Sequence, residues 1–367
     1  MSSERKRVLF LAPSLAGGGA ERVFSNLLRH LNRDQFDVHL AVLNAAGTYH
    51  QDVPEHVVVH DLKVSRARHA LPRVVRLVWT LRPQAILSTL GYMNLMLILG
   101  KPLLPHVTKV LVRETTILST FLQEETKHPQ FWGRLYRYVY GRANKVVCSS
   151  EAMVNDMVEH LKLPREKLVC IYNPLDVEGV RECAAIGGNP YGGPGPHLIA
   201  AGRLSREKGL DVLLDAMPFI LEHFPNARLA ILGEGPLRAQ LTERTQKLGL
   251  AESVSFMGFQ QNPWPYLKHA DLFVLPSRYE GLPNILLEAI ALGTPVVASD
   301  CPGAIREIQA MGAEMILVPR ENPVALAEAI VLICRSPSIS SEYPAISPPV
   351  LGKFELQRII GEYAALF

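Results

Sequence analysis

Two carboxylates, Glu280 and Glu288, bracket the stretch Gly-Leu-Pro-Asn-Ile-Leu-Leu, and two cations, Arg203 and Lys208, stand five positions apart in Ala-Gly-Arg-Leu-Ser-Arg-Glu-Lys-Gly. Carboxylates accept hydrogen bonds from hydroxyls and repel phosphates, whereas guanidinium and ammonium groups attract them. Pro283 suits a first helical turn, where its missing N–H is no loss. The N–H groups of Gly281, Leu282 and Asn284 then form an anion-receptive helix terminus. Glu288 lies about 8 Å further along the axis at ~1.5 Å per residue. Glu280 thus suits sugar hydroxyls at the helix mouth, Glu288 a ribose diol, and the amides between them a phosphate. Ile285, Leu286, Ala289, Ile290 and Leu292 supply the packing face. Arg203 and Lys208 either clamp an anion or remain solvated surface charges, and their place just after a strand favours the clamp.

These groups need a scaffold that brings loops together. Short apolar runs alternate with helical patterns throughout the chain. Strands are expected at VLFLAPS, FDVHLAVLN, VVVHDLK, AILSTL, KVLVRE, KVVCSS and LVCIYNP. A Gly/Pro-rich break follows at 184–197, and strands resume at HLIAAGRL, RLAILGEG, VSFMGF, LFVLPS, PVVASD and MILVP. Strand–helix alternation means parallel sheets with helices on both faces, here twice over. The expected fold is α/β, with two facing doubly wound domains and ligand crevices at the carboxyl ends of their strands. A Pro/Ser-rich linker at 335–349 leads into a final helical pattern, FELQRIIGEYAALF.

Other loops share this logic. Gly17, Gly18 and Gly19 after the first strand allow close backbone approach, and a helix beginning near Ala20 points its amides at whatever lies above. A plain strand-to-helix turn explains them equally well. A dinucleotide fingerprint would need glycine at Arg22, and the second strand ends in Asn44 rather than an acid, which disfavours a nicotinamide dehydrogenase. Gly233 and Gly235 are expected to leave room for a ligand, and Phe259 to cover a planar base, while Phe256 reads as core.

Composition bounds the rest. The chain has 367 residues, 48% hydrophobic and 20% charged, as expected of a soluble protein of two domains. Five cysteines without C-x-x-C spacing argue for a reducing compartment. The basic-then-apolar N-terminus is expected to be a first strand rather than a signal peptide. The stretch AILSTLGYMNLMLILG is too short and polar to span a bilayer. Residues 1–175 hold 23 Lys and Arg against 14 Asp and Glu, a charge of +9, whereas the remainder sums to −6. Residues 62–113 contain nine basic residues and no acid. No metal site is expected: D-x-D is absent, and His56 and His60 in a strand would lie about 13 Å apart at ~3.3 Å per residue. No nucleic-acid motif accompanies the basic half.

Taken in order, GGGAE, YNPLD, AGRLSREKG, GEGP, FMGF, PSRYEGLPNILLEA and GTPVVASDCPGAIREI span nearly the whole chain. In this set the chain resembles glycosyltransferase family 4, retaining enzymes of GT-B architecture with an E-x7-E motif. The resemblance implies an acceptor-binding domain (1–175), a nucleotide-sugar-binding domain (176–345) and a C-terminal helical segment (346–367) that crosses back onto the first. It implies that Arg203, Lys208 and Glu280 serve catalysis. Gly18, Gly19, Gly233, Phe259, Gly281, Leu282, Pro283, Asn284 and Glu288 would line the donor, a UDP-sugar needing neither cofactor nor metal, and Glu21 the acceptor side. Many members carry a histidine after a first-domain strand. The matching stretch here, KVLVRETT, offers Arg113 and Glu114 instead, and the role stays open between them. Ala304 replaces a glycine that relatives often carry.

The helical pattern LPRVVRLVWTLRP sets Val74, Leu77, Val78 and Leu81 opposite Arg73, Arg76 and Arg82. QFWGRLYRYVYGRANK interleaves Phe131, Trp132, Tyr136, Tyr138 and Tyr140 with Arg134, Arg137, Arg142 and Lys145. Such mixtures suit either a lipid headgroup plane or a core face with solvated charges. The acid-free stretch favours a peripheral protein on the inner face of the cell membrane. The expected reaction moves an N-acetylhexosamine from a UDP-sugar onto a polyprenyl-diphosphate-linked glycan, in α-linkage. A soluble acceptor, a sugar-nucleotide epimerase of the same architecture and a non-enzymatic sugar-binding protein are the competing expectations.

Overall fold

The computed structural model describes residues 5–14, 18–45, 53–335 and 349–367. Gly17 and most of the Pro/Ser-rich linker lie outside these. The chain divides into two compact units, one of residues 1–174 with 356–367 and one of residues 175–355.

The described residues of the first unit form seven strands: β1 (Lys6–Ala12), β2 (Phe36–Val42), β3 (Val58–Asp61), β4 (Ala85–Thr89), β5 (Lys109–Glu114), β6 (Lys145–Cys148) and β7 (Leu168–Cys170). Their order is β3-β2-β1-β4-β5-β6-β7, and every described pairing is parallel. Successive side chains point to opposite faces, and helices cover both. Leu9, Leu11, Ile86, Val110 and Val112 therefore join one core cluster, while Val8, Phe10, Leu87 and Leu111 join another. The terminal helix, Leu356–Leu366, belongs to this second face through Ile359, Ile360 and Tyr363. Phe367 meets Phe10 and Phe36 edge-on, each at 5.9 Å.

The described residues of the second unit form six strands: β8 (His197–Ala201), β9 (Arg228–Leu232), β10 (Val254–Gly258), β11 (Leu272–Leu275), β12 (Val296–Asp300) and β13 (Ile316–Pro319). Their order is β10-β9-β8-β11-β12-β13, again parallel. In both sheets the order reverses direction once, between β1 and β4 and between β8 and β11. Helices leave to opposite sides there and open a crevice at the strands' carboxyl ends. In the first unit that point carries Leu90 at φ 71°, an uncommon conformation for a side chain of its size.

All thirteen expected strands are present, most of them shorter by their loop residues. His60 departs from the expected solvated histidine. It is half-buried, and its Nε2 lies 3.0 Å from Nδ1 of His39 on the neighbouring strand.

Candidate functional site

Both charged groups at the switch point of the second sheet come from loops that touch. Lys208 ends a short 3-10 turn after β8, and Glu280 lies in the loop after β11. The Lys208 ammonium donates to Glu280 Oε1 at 2.6 Å, and Ser277 Oγ donates to the same oxygen at 2.7 Å. Burial pushes the lysine pKa down, but the Glu280 carboxylate outweighs it and holds the ammonium above its ordinary value. Arg203 stands exposed in the same loop.

Glycines let these loops meet backbone to backbone. A Cβ on Gly209, at φ 60°, would lie 2.0 Å from the Pro276 carbonyl oxygen. One on Gly303, at φ 128°, would lie 1.7 Å from that of Glu280. The Glu280 N–H donates to Pro302 O and the Ala304 N–H to Gly281 O, so the β12 loop clasps the β11 loop with alanine at 304. Gly233 and Gly235 serve the same purpose. Their Cβ atoms would fall 1.9 Å from Gly202 O and 2.4 Å from Leu204 O.

Residue type alone does not mark Arg278, yet it ties the loops of the site together. Its guanidinium donates twice to Asp211, at 2.9 and 2.8 Å, and also to Arg206 O and Glu321. The hydrogen bonds to Asp211 push the arginine's pKa above its ordinary value. The backbone N–H of Arg278 donates to Glu207 O at 2.8 Å, tying the lysine loop to the glutamate loop.

The helix Asn284–Leu292 begins one residue later than expected, with Pro283 as its N-cap. Gly281, Leu282 and Pro283 are buried, and Asn284 is half-buried. The packing surface is wider than one stripe: Leu287 and Ala291 are buried as well, whereas Ile285 and Leu292 are only half-buried. Glu288 is buried to 2% exposure, and its Oε2 accepts the indole N–H of Trp264 at 2.9 Å. Nothing in the sequence flags Trp264, which lies 24 positions away. Phe259 is 40% exposed, while Phe256 packs against the core beneath the Arg238 guanidinium.

In the first unit Gly18 is the N-cap of the helix Gly19–His30, and both glycines are exposed. The Glu21 carboxylate folds back over this terminus, within 2.5 Å of where a Gly18 Cβ would sit, and its charge complements the helix dipole there. Arg76, Arg82, Arg134 and Arg137 are exposed. Arg73 is exposed too, but its guanidinium already donates to the carbonyls of Leu62 and Lys63. Tyr136 and Tyr140 do not join the aromatic surface expected on Pro129–Tyr140. They are buried, because their face of the helix packs inward.

Both candidates for the missing histidine are buried to 1% exposure, on opposite faces of β5. Arg113 donates to Thr89 Oγ1 and Asn173 Oδ1, and its Nε has no hydrogen-bond partner. Glu114 accepts from the Tyr140 hydroxyl at 2.5 Å and from the Thr115 N–H. Burial pushes its pKa up against these bonds. A carboxyl raised above its unfolded value stabilises the fold below that value, and the contribution fades as pH rises through the folded pKa. Glu114→Gln is therefore expected to melt above the parent at pH 8 and level with it near pH 4. Thermal melts across that range check this, and a variant that melts lower at pH 8 would contradict it.

Among the described residues no group of three or more His, Cys, Asp or Glu is placed to hold a metal ion. No described helix is long and apolar enough to cross a membrane.

Each unit is Rossmann-type, and the second sets a cation–carboxylate pair and a helix N-terminus at its switch point, an arrangement suited to a nucleotide-linked ligand. Residues 17–178 match the Glycosyltransferase Family 4 signature and residues 195–336 that of Glycosyl transferases group 1. Together these span most of the chain, which belongs to glycosyltransferase family 4. The N-acetylgalactosamine-N,N'-diacetylbacillosaminyl-diphospho-undecaprenol 4-alpha-N-acetylgalactosaminyltransferase of Campylobacter jejuni is 25% identical over 340 residues, 90% of each chain. The amylovoran biosynthesis glycosyltransferase of Erwinia amylovora is 26% identical over 79% of this chain and 80% of its own. Among solved structures, HepE of Anabaena in complex with UDP-glucose superposes with a TM-score of 0.78 at 20% identity, covering 98% of this chain and all of that one.

Proposed function

We propose that the protein transfers an N-acetylhexosamine, with retention, from a UDP-sugar onto a glycan carried on a polyprenyl diphosphate. The observation that carries this is the Lys208–Glu280 pair beside the N-terminus of Asn284–Leu292. It sets a fixed cation, a hydroxyl acceptor and backbone amides around one point, which suits a sugar diphosphate. Lys208 and Arg203 take up the charge that builds on the departing diphosphate. Glu280 orients the sugar hydroxyls, and Glu288 the ribose. The acceptor hydroxyl attacks from the face the diphosphate leaves and passes its proton to the departing phosphate oxygen, so an α-linked donor yields an α-glycoside. Positioning and leaving-group stabilisation then supply the catalysis.

Two relatives support the choice of substrates. The name of the Campylobacter enzyme specifies an N-acetylgalactosaminyl donor group and a diphospho-undecaprenol acceptor, and the Anabaena protein holds UDP-glucose. The basic first unit supports work at an anionic membrane surface on the inner face of the cell membrane. The test is UDP release and lipid-product formation from UDP-, GDP- and ADP-sugars, with and without a polyprenyl-diphosphate-linked sugar. Turnover with a UDP-N-acetylhexosamine that needs this acceptor and survives EDTA is the expected result. Equal UDP release without acceptor would mean hydrolysis or isomerisation, and loss in EDTA reversed by Mg²⁺ would overturn the metal-free reaction.

A further inference from the structure

The helix Gly91–Gly100 is apolar on its outward face as well as its inward one. Its inner residues Met93, Leu97 and Ile98 are buried. Tyr92 and Leu99, two turns apart on the other side, are 52% and 53% exposed. The apolar line continues through the following turn with Leu103 at 57% and Val107 at 79%. Trp79, on the neighbouring helix Leu71–Leu81, is 52% exposed and donates its indole N–H to Leu103 O at 2.9 Å. That bond satisfies the ring's one polar group, so the rest of the indole can enter an apolar medium. An apolar helix face of this kind normally has a partner.

Charge identifies the partner. Arg76 lies one turn before Trp79 on the same exposed side. Lys101 reaches across to Arg142 O at 2.8 Å, and Arg142 stacks on Tyr138. Between Asp61 and Glu114 there is no acid, and Glu114 is itself buried. A second copy meeting this face symmetrically would set the same cations against each other. An anionic surface meets both the cations and the apolar line. At ~1.5 Å per residue the ten-residue helix is about 15 Å long, half a hydrocarbon core, so it lies in the interface and does not cross it.

We infer that the outward face of Gly91–Gly100, with Leu103, Val107 and Trp79, is the element that enters an anionic lipid bilayer. The sequence pattern alone points instead to the arginine face of Leu71–Leu81 and to the aromatics of Pro129–Tyr140. The inference deepens the lipid-acceptor proposal and rests on it. The helix begins directly after β4 at the switch point of its sheet, but Leu99, Leu103, Val107 and Trp79 lie at its far end, beside the amino ends of β4 and β5, so the membrane would meet the unit along the flank that runs away from its crevice.

Flotation with phosphatidylglycerol-containing and pure phosphatidylcholine vesicles tests it, on the parent and on Leu99→Gln/Leu103→Gln/Val107→Gln. The parent should float with the anionic vesicles at low salt. The triple variant should partition at least tenfold less, with its melting temperature and transfer to a short soluble acceptor unchanged. Val107→Gln alone, at the most exposed position, should show a smaller drop in the same direction and covers a triple variant that fails to fold. Variants that partition like the parent, or a parent that does not float, overturn the inference. So does a dimeric parent that the variant converts to a monomer, by light scattering, because the face would then be a self-interface. Vesicle binding through this face without transfer to a polyprenyl acceptor would sink the acceptor proposal and leave the docking face standing.

Discussion

Lys208→Met is expected to lower kcat/KM by roughly 10²-fold or more, the loss typical of removing one preorganised group that stabilises developing charge. Two effects contribute. The ammonium is the group placed to take charge from the leaving diphosphate. It is also the partner of Glu280, whose side chain is only 7% exposed. Stranding a buried carboxylate costs about 3–5 kcal/mol, so the single variant should also melt lower. The double variant Lys208→Met/Glu280→Gln separates the two effects. It removes the stranded charge and keeps a side chain that Ser277 can still reach, so it should recover much of the melting temperature and none of the activity. Arg203→Gln, in an exposed position, should lower activity without lowering stability. Full turnover in Lys208→Met, or recovery of turnover in the double variant, would show that the pair is structural.

Glu288→Ala is expected to weaken binding of a UDP-sugar by about 1.5–3 kcal/mol, the range for hydrogen bonds to a charged group. That is roughly ten- to 150-fold in Kd, since 1.4 kcal/mol is a factor of ten. Inorganic pyrophosphate, which has no ribose, should bind the variant and the parent alike. Trp264→Phe keeps the ring and removes only the N–H that steadies Glu288, so its loss should be smaller than that of Glu288→Ala but in the same direction. Calorimetry with both ligands decides the matter. If Glu288→Ala binds UDP-sugar as tightly as the parent, Glu288 is a core acid held for Trp264 and not a ribose ligand.

Much of the scaffold could be read directly. The central strands, such as β4, β8, β11 and β12, are short apolar runs, because a parallel strand buried on both faces needs apolar side chains on both. Phe256 against the core, Phe259 at the surface and the acid–turn–acid order around Pro283 also follow from local chemistry. What faces what could not be read. LPRVVRLVWTLRP and QFWGRLYRYVYGRANK both look amphipathic, and the split between buried Tyr136 and Tyr140 and exposed Phe131 and Trp132 depends on which neighbour each helix packs against.

By itself the sequence determined two parallel α/β sheets, the loops that bear charge at their carboxyl ends and the family. These depend on residue type and on neighbours within one element. Only the tertiary structure decided that Arg278 spans 67 positions to Asp211 and 43 to Glu321, that Trp264 holds Glu288, and that Gly233 and Gly303 yield space to a carbonyl. The same holds for the outward apolar face of Gly91–Gly100, whose residues look like core until the helices around it are in place. Each is a contact between distant segments. A side chain's type limits what it can bind, but the fold alone chooses which of the chain's many matching groups is brought within reach.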